Sequence, residues 1–169
     1  APPSGAWGRL QVAGPTPGAR EDHTWTLGAD GSIYLFGGRD GATLFGDLWR
    51  FDPSAMTWAR LAGQAGAAPA SRFGHEAAWA PGLGLVVWAG QAGTRFFDDL
   101  WLYEPAAGTW RELPSRGDAP VARYGSCSGI GPDGRLWISH GFTEDGTRFA
   151  DTRAYDLDTG TWADESPGG

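Results

Sequence analysis

The dipeptide Thr-Trp recurs along this chain of 169 residues at a fixed interval of 52 residues. It occurs at Thr57-Trp58, Thr109-Trp110 and Thr161-Trp162, and an earlier tryptophan, Trp7, stands 51 residues before the first copy. A period of about 50 residues is typical of repeat architectures, in which each copy folds as one supersecondary unit and stacks on its neighbours. The interval therefore predicts three copies of one small unit.

Further positions recur in the same register. They are an arginine, a histidine, a glycine pair, an aspartate, an aromatic residue and an acid. In order of copy they are Arg20, Arg72 and Arg123; His23, His75 and Ser126; Gly37-Gly38, Ala89-Gly90 and His140-Gly141; Asp47, Asp99 and Asp151; Phe51, Tyr103 and Tyr155; Asp52, Glu104 and Asp156. Agreement at this many positions leaves little room for chance.

Each copy has the pattern of four short strands. In the first copy, residues 23–27 and 32–36 flank Asp30-Gly31, a hairpin signal, and residues 47–52 and a strand around Trp58 follow after a loop of eight residues. The 28 glycines, 12 prolines and 10 tryptophans of the chain fit many strands joined by tight turns. Four strands in about 50 residues make one blade of a β-propeller.

The glycine pair, the acid–aromatic strand and a tryptophan 20 residues after the pair resemble the kelch repeat, and the resemblance runs from Trp7 to Trp162. It implies an all-β fold of kelch-type β-propeller blades, with three four-stranded antiparallel blades forming an incomplete (half) propeller. It also implies that one tryptophan and one aromatic residue of each copy pack between blades. These residues are Trp58, Trp110, Trp162, Phe51, Tyr103 and Tyr155.

The repeat register divides the chain into four parts. Residues 1–19 are expected to hold the outer strand of a preceding blade and a loop, and residues 20–62, 63–114 and 115–169 are expected to form blades one, two and three. Propellers close with about four to eight blades, so three blades leave two faces open. Either the chain is half of a six- or seven-bladed propeller, or it pairs with itself as a homodimer that completes a six-bladed ring. Trp7, whose own first three strands are absent, favours the longer array.

Six loop residues are candidate contacts for a partner, because the loops after strands two and four emerge on one rim and loops carry function in such scaffolds. They are Arg20, Arg72 and Arg123, which open the first strand of each copy, and Arg39, Gln91 and Phe142, which follow the glycine pair. In kelch propellers that capture acidic peptides, arginines at these positions resemble the contact set. The resemblance thus implies a protein or peptide as partner, and the paired hydrogen bonds of guanidinium groups suggest an acidic one.

A structural role is the alternative for the same residues. The arginines that open strand one could instead bind a carboxylate such as Asp47, Asp99 or Asp151 and tie the blades together. Acids such as Glu21, Asp22 and Glu144 also lie in these loops, so the rim is mixed in charge.

Charge and composition narrow the function classes. A net charge of −7 disfavours nucleic acid as the main partner, and no apolar run is long enough to predict a membrane span. His23 and His75 occupy equivalent points of different blades, so no metal site or other cofactor is expected. Copper oxidases of the galactose-oxidase kind share the kelch propeller, but Cys127 and Tyr124 lack the further tyrosine and histidine ligands. No catalytic residue is assigned, and a non-catalytic fragment of such an enzyme remains the alternative to a binding module. The composition indicates no cellular compartment.

Overall fold

The computed structural model describes residues 8–61 and 67–167, and every regular element in them is a β-strand. None of these elements is a helix, so the described residues offer no apolar helix of membrane-spanning length. The prediction of an all-β chain is therefore confirmed.

The first sheet contains four antiparallel strands in the order β1-β2-β5-β6, with a two-stranded hairpin, β3-β4, in the loop between its second and third strands. The strands are β1 Thr24–Leu27, β2 Ile33–Phe36, β3 Arg39–Asp40, β4 Thr43–Leu44, β5 Leu48–Asp52 and β6 Thr57–Leu61.

The second sheet repeats this arrangement, in the order β7-β8-β11-β12 with the hairpin β9-β10. Its strands are β7 Glu76–Ala80, β8 Gly84–Trp88, β9 Gln91–Ala92, β10 Arg95–Phe96, β11 Leu100–Glu104 and β12 Thr109–Glu112.

The third sheet has five strands, in the order β14-β15-β16-β17-β13. They are β13 Arg116–Gly117, β14 Cys127–Ile130, β15 Leu136–Ser139, β16 Thr152–Asp156 and β17 Thr161–Asp164. The strand β13 comes before the sheet in the chain and pairs in parallel with the outer strand β17.

In the first sheet, β1, β2 and β5 match the predicted strands 23–27, 32–36 and 47–52 to within one residue. Two features differ from the prediction. The loops after β2 and β8 form short hairpins, and the third sheet gains the parallel strand β13. Each of these strands has two residues that pair through the backbone, so no alternation of apolar side chains announces them.

The apolar core lies between successive sheets. Side chains of β8 alternate in direction, so that Leu85 and Val87 pack with Tyr34 and Phe36 of the first sheet. Val86 and Trp88, the residues between and after them, pack with the third sheet. All five residues of β8 are buried, because the middle sheet is covered on both faces.

The repeated aromatic residues hold these interfaces. Tyr103 and Trp110 lie 5.3 Å apart between ring centroids, and Tyr155 and Trp162 lie 4.9 Å apart. Trp110 also contacts Phe36 of the preceding sheet at 5.2 Å, and Trp162 contacts Trp88 at 6.0 Å. The implied packing between blades is confirmed for Trp110 and Trp162.

The two outer sheets each have an open face. On the first sheet, Trp25 and Leu27 are 52% and 65% exposed. Trp58 packs there against Trp25 at 5.5 Å and Phe51 at 5.0 Å, both within its own sheet. On the third sheet, Cys127, Gly129 and Ser139 line an open apolar surface.

The assignment of residues 1–19 to a preceding blade stays a prediction, because Trp7 lies outside the described residues. Within the described part of this segment, the amide of Ala13 donates to the carbonyl of Met56 at 3.3 Å and Ala13 pairs in parallel with Thr57. The segment thus runs beside the outer strand β6, as β13 runs beside β17.

The substitution Leu100→Ala is expected to lower the free energy of unfolding by about 2–5 kcal/mol, because it opens a cavity between the second and third sheets. Leu100 is fully buried there. The matched substitution Leu27→Ala, at a position 65% exposed on the open face of the first sheet, should change stability by less than about 0.5 kcal/mol. Urea unfolding followed by tryptophan fluorescence measures both. Equal losses would contradict the placement of the core between sheets.

Candidate functional site

A buried ion pair recurs at the same place in each sheet. The guanidinium of Arg72 donates to both carboxylate oxygens of Asp99, at 2.6 and 2.8 Å, and to the carbonyl of Ala89 at 3.0 Å. The pairs Arg20–Asp47 and Arg123–Asp151 repeat this geometry, each with a shortest N–O distance of 2.6 Å. Each arginine therefore joins the start of the first strand to the end of the second and the start of the third, within one sheet.

Aromatic rings cover these guanidinium groups. The distance from the arginine Cζ to the ring centroid is 3.9 Å for Arg20 over Phe45 and 4.0 Å for Arg72 over Phe97. The third pair repeats this contact, with Arg123 over Phe149 at 4.4 Å. The side chains of the three arginines are 3%, 0% and 1% exposed, in chain order.

The aspartates remain ionised partners at neutral pH. Burial raises the pKa of Asp99, but hydrogen bonds from Arg72 and Trp101 outweigh it and hold the pKa below its ordinary value of 3.8. Asp47 and Asp151 have lowered pKa values by the same balance. Bidentate geometry and an arginine that is almost fully buried make each pair a structural unit.

Arg20, Arg72 and Arg123 were predicted to contact a partner, and the structure instead places their guanidinium groups inside the sheets. The carboxylate alternative describes their geometry, although the link is made within a blade and not between blades. Two sheets are joined instead by the backbones of Arg72 and Arg123. The carbonyl of Arg72 accepts from the amide of Gly38 at 2.8 Å, and the carbonyl of Arg123 accepts from Gly90 at 2.9 Å.

The other three candidates, Arg39, Gln91 and Phe142, lie at the loop rim, each in a reciprocal backbone pair with the residue that follows a buried arginine. The pairs are Glu21 with Arg39, Phe73 with Gln91 and Tyr124 with Phe142. Their N–O distances are 2.8 to 3.0 Å. We call these six residues the bridge rim.

Aromatic rings form a continuous row across the bridge rim. Phe73 lies 5.7 Å from Tyr124, Tyr124 lies 5.1 Å from Phe142, and Phe142 lies 6.4 Å from Phe96. The backbone of Gly74 (φ 57°) makes room for this row, because a Cβ atom there would lie 1.8 Å from Cε2 of Tyr124. Phe142 is 36% exposed, so the row reaches the surface at this residue.

The opposite end of the bridge rim is charged. Nε of Arg39 lies 3.0 Å from a carboxylate oxygen of Asp22 and 3.2 Å from one of Glu21. Cζ of Arg39 lies 4.3 Å from the ring centroid of Phe73, where the charged end meets the aromatic row. An acidic ligand would therefore compete with two carboxylates already placed at Arg39.

Sequence reasoning placed Glu21 in the rim loops only as a source of mixed charge, and it missed Phe73 and Tyr124 as members of the site. A signal was present, since these positions differ in residue type among copies while the arginine before each is constant. What the sequence lacked was the pairing that brings them beside Arg39 and Phe142.

Of the residues considered for metal or redox chemistry, Tyr124 belongs to the bridge rim, whereas His75 and Cys127 do not. His75 is buried between the first two sheets, where Nε2 lies 2.9 Å from Oγ1 of Thr24. Cys127 is a free, exposed thiol on the open face of the third sheet. Across residues 8–61 and 67–167, no three histidine, cysteine or acidic side chains gather as metal ligands would.

The geometry agrees with comparisons with known proteins. A family model described as the KLHDC2/KLHL20/DRC7 Kelch-repeats domain matches residues 2–169. The chain therefore belongs to the kelch-repeat family, whose domains are in general protein-interaction modules.

Relatives with curated names share this repeat. The chain is 34% identical to leucine-zipper-like transcriptional regulator 1 of Pongo abelii over 143 residues, which is 80% of this chain and 17% of that protein. It is 38% identical to the Rab9 effector protein with kelch motifs of Rattus norvegicus over 102 residues, 59% of this chain and 27% of that protein. Acyl-CoA-binding domain-containing protein 5 of Arabidopsis thaliana is 31% identical over 71% of this chain and 18% of its own length. The matched region thus spans only 17–27% of these relatives.

The substitution Asp99→Asn is expected to lower the free energy of unfolding by about 3–5 kcal/mol, since it leaves the buried charge of Arg72 without a counter-ion. The control Glu104→Gln breaks the surface pair with Arg111, whose side chain is 48% exposed, and should cost less than about 1 kcal/mol. Urea unfolding at neutral pH compares the two variants.

The same pair sets a pH dependence. Because the pKa of Asp99 is lowered in the folded chain, its contribution is complete above the ordinary value of 3.8 and is lost as pH falls through the folded value. The difference in unfolding free energy between the wild type and Asp99→Asn should therefore shrink below about pH 4. A difference that stays constant down to pH 2 would show that the ion pair does not carry the effect.

Proposed function

We propose that this chain is a kelch-repeat module that binds a protein or peptide on the bridge rim. The observation that carries the proposal is that some loop residues are constant and hold the frame, while others vary between the sheets. The buried Arg–Asp pairs are the same in all three sheets, whereas the rim positions that they support change from Glu21 and Arg39 to Tyr124 and Phe142. A constant frame that presents varied side chains suits recognition.

The chemistry of the bridge rim favours a ligand with an apolar anchor. The row from Phe73 to Phe96 reaches the surface at Phe142, and exposed aromatic residues supply much of the binding energy of protein interfaces. The acidic-ligand hypothesis now depends mainly on Arg39 at the charged end, because the three frame arginines are buried. A peptide that places an apolar side chain on Phe142 and a carboxylate near Arg39 would use both ends.

The open faces of the first and third sheets belong to the same proposal. Trp25 and Leu27 are exposed where a middle sheet would have a neighbour. Further blades, in a six- or seven-bladed propeller, would cover them and extend the rim around a ring.

Selection of phage-displayed random peptides on the purified chain tests the proposal without a known partner. Selected peptides should bind Phe142→Ser at least about tenfold more weakly than the wild type, since loss of an aromatic anchor costs more than about 1.4 kcal/mol. The substitution Arg39→Glu should weaken the binding of those selected peptides that contain a carboxylate.

The matched control is Leu83→Ser, which changes an apolar residue 38% exposed in the β7–β8 turn, at the end of the sheet away from the bridge rim. Its affinity for the selected peptides should equal that of the wild type. Peptides that bind Phe142→Ser and Arg39→Glu as tightly as the wild type would remove the bridge rim from the proposal.

A further inference from the structure

The interface between the first and second sheets is built around one histidine. Nε2 of His75 lies 2.9 Å from Oγ1 of Thr24, and its ring lies 5.2 Å from the ring of Phe36, edge to face. Gly37 (φ 65°) approaches so closely that a Cβ atom on it would lie 2.8 Å from Cε1 of His75. The first sheet thus surrounds His75 with the hydroxyl of Thr24, the ring of Phe36 and the backbone of Gly37, which has no Cβ atom.

The interface between the second and third sheets changes all of these residues together. The histidine is replaced by Ser126, which is buried. The three surrounding positions become Glu76, Trp88 and Ala89. Ala89 keeps the left-handed backbone (φ 61°) and carries the Cβ atom that the larger histidine would exclude. We call the residues around His75, which are Thr24, Phe36 and Gly37, the histidine set. Those around Ser126, which are Glu76, Trp88 and Ala89, are the serine set.

The first sheet presents a histidine of its own on its open face. His23 occupies the place of His75, and Nδ1 is buried in both. The second glycine of the pair contacts both histidines alike, since a Cβ atom on Gly38 would lie 2.9 Å from Cβ of His23 and one on Gly90 would lie 2.7 Å from Cβ of His75. His23 is thus placed to receive the same surroundings as His75.

The open face of the third sheet does not supply those surroundings. Cys127 stands where Thr24 stands, Ser139 where Phe36 stands, and His140 (φ 63°) where Gly37 stands. If the third sheet docked on the first sheet of a second copy, His140 would carry a Cβ atom and an imidazole toward His23. The hydroxyl and the aromatic contact would also be missing.

We infer that the open face of the first sheet is an interface for a kelch blade other than those of this chain, one that carries a hydroxyl residue, an aromatic residue and a glycine at the places of Thr24, Phe36 and Gly37. The amide that follows this glycine donates to the carbonyl of Arg20, as Gly38 donates to Arg72 at 2.8 Å. Because the open face of the third sheet lacks these three residues, two copies of this chain cannot close the ring. The inference rests on the proposed stacking of further blades and not on the bridge rim, so the peptide experiment can fail without affecting it.

The test is the mass of the chain in solution, measured by light scattering after gel filtration. The wild type should have the mass of one chain, 17.9 kDa. The variant Cys127→Thr/Ser139→Phe/His140→Gly rebuilds the histidine set on the third sheet, so two copies can close a six-bladed ring and the mass should double. Adding His23→Ala to this variant should return the mass to that of one chain.

The matched control is Cys127→Glu/Ser139→Trp/His140→Ala, which builds the serine set on the same face and should leave one chain. A wild type of double mass, or doubling by the control as well, would overturn the inference. So would a rebuilt variant that keeps the wild-type circular dichroism and the mass of one chain. Should the triple variant fail to fold, Cys127→Thr/His140→Gly carries the same test, because it keeps Ser139, whose Oγ donates to the carbonyl of Asp151 at 3.0 Å.

Discussion

The whole structure depends on one constraint, which is that each sheet can bury an apolar face only against a neighbouring sheet. The interior side chains alternate along each strand, so Leu85 and Val87 serve one interface while Val86 and Trp88 serve the other. Stability in such an array is close to a sum of terms for neighbouring units. The middle sheet is complete in this sense, and the first and third sheets each have one unfilled side. The exposure of Trp25 and Leu27 follows directly from this arrangement.

The bridge rim depends on the same stacking of neighbouring sheets. A buried pair such as Arg72–Asp99 fixes the beginnings and ends of three strands inside one sheet, and the arginine backbone then hydrogen-bonds to the preceding sheet. Residues next to this frame are free to change without loss of the fold. The charged end at Arg39 and the aromatic end at Phe142 differ for that reason, and binding specificity can vary while the scaffold stays constant.

Much of the fold could be predicted because its signals are local or periodic. The 52-residue interval indicated the number of units, and apolar runs such as Ile33–Phe36 between turn signals placed strands of the first sheet to within one residue. The hairpin β3-β4 and the parallel strand β13 escaped prediction, since two-residue strands paired through the backbone leave no side-chain pattern.

The candidate site was predicted less well. Arginines are usually exposed, so the sequence left two roles open for Arg72, a contact with a partner or a pair with a carboxylate such as Asp99. In the structure Arg72 pairs with Asp99, 27 residues away. Tyr124 was missed because its place beside Phe142 depends on a bridge between distant segments. The residues that surround His75 and Ser126 could likewise not be grouped from the sequence, because the sequence does not tell which positions face each other across two sheets.

Hydrogen exchange of backbone amides tests most directly the claim that neighbouring sheets stabilise one another. The strands β2, β8 and β15 are all hydrogen-bonded on both sides, but only β8 has both faces covered. The account predicts that amides of β8 exchange at least about tenfold more slowly than those of β2 and β15, which corresponds to about 1.4 kcal/mol. Equal protection in the three strands would contradict it.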